Sequence, residues 1–219
     1  TKTNGAPSAN SRSPLDSPIT RTYVLVMARQ KTFSPDEALE QAMGVFWRKG
    51  FADCSVEDLV AATGVSRYGL YSTFGEKDEL YAVALDRYAE GVIDFLFGPL
   101  EKEGAGLADI HAYFDRMIAG SVQAEFGFGC MLCKTAANAD TISAPVARRA
   151  TQFLDRLRFG FLRALENAKR DGDLAASSDP KVLADYLVGV VQGISAYAQA
   201  PVPHAAVVNF MRMAAQAIK

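Results

Sequence analysis

Residues 56–74 read Val-Glu-Asp-Leu-Val-Ala-Ala-Thr-Gly-Val-Ser-Arg-Tyr-Gly-Leu-Tyr-Ser-Thr-Phe, and that order is the layout of a helix-turn-helix. Leu59, Val65 and Leu70 are spaced to meet between two short helices. Gly64 allows the positive φ that a three-residue turn needs, and Ser66 starts the second helix. Ser55, with Asp58 three residues on, makes a capping box for the first helix. The second helix then presents Arg67, Tyr68, Gly69, Ser72 and Thr73 to a DNA groove. Val60 stands where a smaller residue is common, because the two helices approach closely there.

Upstream, Ser34 and Pro35 open a helix with a cap and a first-turn proline, Ala38, Leu39, Ala42, Met43 and Phe46 form its buried stripe, and Gly50 stops it. Downstream of Gly75, residues 77–97 place Leu80, Tyr81, Ala84, Leu85, Tyr88, Val92 and Phe95 at helical spacing, which predicts one long amphipathic helix. Further helices are expected near 106–121, 130–138, 144–171, 179–199 and 204–218, punctuated by glycine and proline. From Phe33 onward there is almost no sustained two-residue alternation, so the expected fold class is all-α. Residues 1–26 are rich in Ser, Thr, Asn and Pro and read as a disordered arm. Residues 27–31, Met-Ala-Arg-Gln-Lys, read like a natural start, which leaves open whether the arm is native.

The stretch from Gly64 to Tyr81, with Phe46-Trp47-Arg48-Lys49-Gly50-Phe51 and the Ser55 cap before it, closely resembles the signature of the TetR family of transcriptional repressors over about residues 34–85. The resemblance implies that Tyr71 and Lys77 bind phosphate, that Arg67, Tyr68 and Ser72 face the major groove, and that Leu70 and Phe74 are core. Ser55, Ser66 and Gly69 complete the DNA-facing set, although Gly69 stands where a hydroxyl residue is often found and Glu76 is an acid beside a polyanion. It further implies a homodimer, a double-stranded operator and a small-molecule effector as partners. The expected organisation is an N-terminal three-helix helix-turn-helix domain over 27–76 and a C-terminal helical ligand-binding and dimerisation domain over 77–219.

Within 183–199, Gly189, Gly193 and Ala196 share one helix face, where small residues let a second helix approach closely. That partner is either a helix of the same chain or one of a second copy. The family dimerises through its last two long helices, which favours the second copy, with Phe210 and Met211 joining the interface. Among the aromatic residues of the middle helices, Tyr113, Phe114, Phe153 and Tyr186 either line a ligand cavity or are plain core.

Cys130-Met131-Leu132-Cys133 follows Phe126-Gly127-Phe128-Gly129, which puts Cys130 at a helix start where amide groups and Lys134 favour thiolate. The surroundings resemble TetR regulators whose cysteine at this place senses electrophiles or oxidants. The pair is then a thiol sensor or, alternatively, small apolar core. Zinc would need two more ligands than this C-x-x-C supplies, so no metal is expected, and nothing calls for a cofactor.

The 219 residues are 49% hydrophobic with a net charge of -2, so a sizeable core is available and no global basic field announces nucleic acid. No apolar run approaches the roughly 18 to 20 residues of a membrane span, and three cysteines are too few for a secreted scaffold, so the expected place is the cytoplasm, away from membrane. Residues 27–80 carry six basic residues against nine acidic, so DNA affinity must come from a few well-placed cations used twice. An enzyme finds no support, because a nucleophile-base-orienter trio and a Gly-rich phosphate loop are both missing from the sequence. A helical adaptor that has lost DNA binding is the remaining alternative, and a gel shift on DNA flanking its own gene separates the two.

Overall fold

Pro35 begins α1 (Pro35–Lys49) at the position where its missing N–H costs nothing. Asp36 and Glu37 sit in the first turn and Arg48 and Lys49 in the last, matching the helix dipole at both ends. The computed structural model describes Thr1 and residues 33–218. The chain divides into a unit of residues 1–34 and a unit of residues 35–219, and the following concerns the second. But for Thr1, the arm expected over 1–26 lies outside the described residues, as does the start at Met27.

After α1 come α2 (Val56–Thr63), α3 (Arg67–Phe74) and α4 (Lys77–Tyr88), then a π turn (Ala89–Ile93) that leads into α5 (Asp94–Phe97). α6 (Leu107–Gly120), a 3-10 turn (Ala124–Phe128), α7 (Met131–Ala137), a second 3-10 turn (Ala139–Thr141), α8 (Ala144–Asp171), α9 (Pro180–Ala198) and α10 (His204–Gln216) complete the order. The all-α expectation holds for the described residues.

α8 is the spine of the larger part. Its Val146, Ala150, Phe153, Leu157, Phe161, Ala164, Leu165 and Ala168 are buried at helical spacing, and it packs on α4, α6, α7 and α9. Each buried side chain of Leu or Phe size contributes about 1.5 to 3 kcal/mol. α1 packs on both α2 and α4, and α4 also packs on α3, α7 and α8, so one helix touches both the small N-terminal trio and the larger part.

The single helix expected over 77–97 is interrupted by the π turn, where the Asp94 N–H donates to Ala89 O. One extra residue per turn shifts the buried stripe by a position. Leu80, Tyr81, Ala84, Leu85 and Tyr88 are buried as the spacing predicts, but beyond the turn Ile93 and Phe97 go inward and Phe95 is 61% exposed. Such turns inside α-helices are frequent at functional sites.

Candidate nucleic-acid interface and sensory pocket

The helix-turn-helix is built by the local chemistry its sequence contains. Ser55 accepts from Asp58 N (3.1 Å) while the Ser55 N–H donates to the Asp58 carboxylate (2.9 Å). Lys49 pairs with that carboxylate at 2.7 Å, and donation from Lys49 and from Ser55 holds it down at about 2. Gly64 takes φ 64° to end α2, and Ser66 accepts from Gly69 N at 3.1 Å to start α3. Leu59, Val65 and Leu70 are buried between the helices.

With its inner face fixed, α3 exposes Arg67, Tyr68 and Ser72, and Tyr68 is 84% exposed. The Arg67 guanidinium lies 5.3 Å from the centre of the Tyr71 ring, and Lys77 Nζ stands 4.4 Å from that of Phe51. These cations are placed by aromatic rings, leaving their N–H groups for an anion. The inclusion of Thr73 in the DNA-facing set is corrected: its hydroxyl oxygen is buried and lacks a hydrogen-bond partner among the described residues. Ser72 donates back to Gly69 O at 3.1 Å and keeps its lone pairs outward.

A cavity of about 400 Å³ lies among the π turn, α6, the first 3-10 turn, α8 and α9, with walls that include Trp47, Tyr88, Tyr113, Phe126, Cys130 and Phe153. Two of the four aromatic candidates, Tyr113 and Phe153, therefore line it. Phe114 does not: it is fully buried and stacks on Phe161 in the core. Tyr186 does not either, since it is 47% exposed on the outer side of α9. Trp47 and Tyr88 were missed because their place in the wall depends on pairing α1 and α4 with a loop some eighty and forty residues away, which periodicity does not show.

Cys130 caps α7, its sulfur accepting from Cys133 N at 3.5 Å, and its own N–H donates to Ser195 Oγ at 2.8 Å. The Cys133 thiol donates to it first of all, joined by backbone N–H groups and the Tyr88 hydroxyl, and together these outweigh burial and lower Cys130 to about 7. The same bond with Cys130 pushes Cys133 well up, as does burial. Burial first, with the Asp58 carboxylate adding to it, carries Cys54 to about 11 against the pull of Lys77 and Lys49. Cys133 is buried and faces, with Lys134, a second and more polar cleft; it does not line the aromatic cavity. Lys134 donates to two carbonyls; burial lowers its pKa, and attraction between its ammonium and a Cys130 thiolate works against that burial.

On α9, Val182, Tyr186, Gly189 and Ala196 are exposed, and on α10 Met213 is 62% exposed. Two of the residues expected in a dimer interface are placed otherwise. Met211 is fully buried, and a Cβ on Gly193 would stand 3.6 Å from the Phe210 ring of the same chain. The close approach at Gly193 is thus the internal α9–α10 contact. A Cβ on Gly189 would meet nothing within 4 Å. The two histidines are tied internally, His111 to Ala215 O and His204 to Ser121 Oγ.

The family described as "Bacterial regulatory proteins, tetR family" matches residues 38–84, and "Tetracyclin repressor-like, C-terminal domain" matches 106–214. The chain is 28% identical to an uncharacterised HTH-type transcriptional regulator, YezE, of Bacillus subtilis, over 74% of this chain and 84% of that protein. It is 29% identical to the HTH-type transcriptional repressor ComR of Escherichia coli, over 76% and 80%. A cysteine mutant of the TetR family regulator CifR, solved with 26-base-pair operator DNA, superposes with a TM-score of 0.72 at 25% identity, covering 86% of this chain and 99% of that one. These matches, on the helix-turn-helix and on the helical part behind it, leave no place for the enzyme reading: the chain belongs to the TetR family and is a DNA-binding transcriptional regulator.

Proposed function

We propose that the chain is a cytoplasmic homodimer that represses transcription by placing two copies of α3 in the major grooves of a near-palindromic operator. Residues 27–76 form the DNA-binding domain, and residues 77–219 bind the effector and the second copy. The observation that carries this is the face of Arg67, Tyr68 and Ser72, which the fold leaves outward while Leu70 anchors the helix. Ser55, Ser66, Gly69, Tyr71 and Lys77 surround it and set the phosphate register. Support for an operator also comes from CifR, whose similar fold was solved on one.

The test uses an operator selected from random DNA. Arg67→Ala is expected to relax base preference, costing roughly 1 to 3 kcal/mol on the operator and much less on scrambled DNA, while Lys77→Ala weakens both about equally and lowers the salt slope. Equal losses for both variants on both DNAs contradict the assignment. Absence of binding to any sequence at low salt would favour the adaptor.

The aromatic cavity is proposed as the effector site, with room for a small, largely apolar molecule. Cys130 in its wall is proposed as a thiol that modification uses to release DNA. Because the thiolate is the nucleophile, labelling of Cys130 by iodoacetamide should climb as pH rises through about 7 and level off above it. Cys54, raised to about 11, should stay slow throughout. Mass spectrometry of partly labelled protein reads both rates, and comparable labelling of the two thiols at pH 7.5 ends the sensor reading.

A further inference from the structure

The last carbonyls of a helix have no amide partner within it. In α1 the Phe46 carbonyl is taken by Gly50 N, but the next one, Trp47 O, accepts from Lys134 Nζ at 2.7 Å. The cation that completes the DNA-binding domain's first helix therefore comes from α7, one turn beyond Cys130, and sits at the negative end of the helix dipole. The same ammonium donates to Phe128 O at 3.4 Å. Trp47 answers in the other direction: its indole Nε1 donates to Gly129 O at 2.6 Å, while its ring packs edge-on against Tyr88 and Phe128.

These bonds bracket Cys130 closely, with Gly129 immediately before it and Lys134 four residues after. The segment between has little room to shift alone. Gly129 adopts φ 69°, and a Cβ there would stand 2.7 Å from Ser195 O and 2.6 Å from the Gln199 side chain. On the far side, α1 continues into Lys49, which pairs with the Asp58 of the α2 capping box. A connected set of contacts thus runs from the cavity wall to the start of the helix-turn-helix.

We propose that Lys134 and Trp47 form a clamp across which the state of the Cys130 cavity wall is felt by α1 and hence by the DNA-binding helices: an adduct at Cys130 displaces the Gly129 carbonyl and the first turn of α7, withdraws the Lys134 cap from Trp47 O, and frees the end of α1. This rests on the reading of Cys130 and its cavity as the sensory site. Lys134 acts here as a positioning residue, and touches neither the DNA nor the adduct.

The test takes the full chain, an operator selected from random DNA, and N-ethylmaleimide as the probe, with the adduct located by mass spectrometry. In the unsubstituted protein, alkylation of Cys130 should weaken operator binding at least roughly five-fold, the low end of ordinary coupling, and bound operator should slow the alkylation. Trp47, the sole tryptophan, should shift its emission on labelling. Lys134→Met removes the cap permanently, so it should by itself weaken operator binding about as far as alkylation does in the parent, with labelling then adding less than about two-fold; Lys134→Arg, which can still donate to carbonyls, should restore both the affinity and the response. Lys134→Gln is used if thermal melting shows that Lys134→Met does not fold. The clamp is overturned if the folded Lys134→Met variant keeps the parent's operator affinity before any label is added, or responds to labelling as fully as the parent. If Cys130 alkylation in the parent leaves operator binding unchanged, the sensory reading falls, and the clamp with it, whatever Lys134→Met does.

Discussion

Gly189→Leu is expected to turn the proposed dimer into a monomer without harming the subunit. Gly189 is exposed, and a Cβ there would meet nothing within 4 Å, so in a single chain the leucine starts into open space. Replacing glycine inside a helix should even stabilise the subunit, by up to about 0.8 kcal/mol. Across a symmetric α9 contact the same side chain meets the partner helix twice. Overpacking of roughly 1 to 3 kcal/mol at each copy raises the dissociation constant about thirty-fold or more. The apolar neighbourhood fits that use: Val182 and Tyr186 share the face, and Met213 of α10 and Phe159 of α8 are likewise exposed. Sedimentation velocity at micromolar protein reads the outcome, with operator binding expected to fall alongside because a lone α3 reaches one half-site. A Gly189→Leu protein that remains dimeric would move the interface off this face.

Gly193 illustrates where the sequence stops being informative. Gly189, Gly193 and Ala196 look equivalent by spacing, yet Gly193 lies under Phe210 of its own chain and Gly189 faces outward. One stripe of small residues serves an internal crossing along part of its length, and the periodicity does not say where that part ends. The π turn is similar. It moves Phe95 out and Ile93 in by a single residue, a shift that a spacing of 3.6 neither contains nor excludes. Helix boundaries, by contrast, were legible almost to the residue, because caps and breakers are local: Ser34-Pro35, Ser55 with Asp58, Ser66, Gly172 and Pro180 each mark a terminus through chemistry within one turn. The cavity was half legible. Tyr113 and Phe153 line it, but Tyr186, equally aromatic and equally helical, faces outward; only tertiary packing distinguishes them.

Tyr68→Ala is expected to weaken operator binding about thirty-fold or more in a protein that melts like its parent, and Leu70→Ala two residues on to melt lower and to lose DNA only through unfolding. Both side chains sit in the first turn of α3, but Tyr68 is 84% exposed and Leu70 is fully buried. Tyr68 has no bond to the rest of the subunit among those found in the described residues, so its removal should change stability by no more than about 0.5 kcal/mol. If it meets base edges in each half-site, its loss costs roughly 1 to 3 kcal/mol per copy, which two copies compound to about thirty-fold or more in affinity. Leu70→Ala opens a cavity between α2 and α3 and should cost about 2 to 5 kcal/mol of folding stability, a large part of a typical domain's total. Its loss of DNA binding would come through unfolding, and should be recovered in part on cooling or by saturating operator, which stabilises the folded form by mass action. Measuring the melting temperature and the operator affinity of both variants separates the roles. A Tyr68→Ala protein that binds as tightly as the parent would take this side chain out of the interface and leave Arg67 and Ser72 to read the groove; one that melts well below the parent would show that Tyr68 supports the fold despite its exposure.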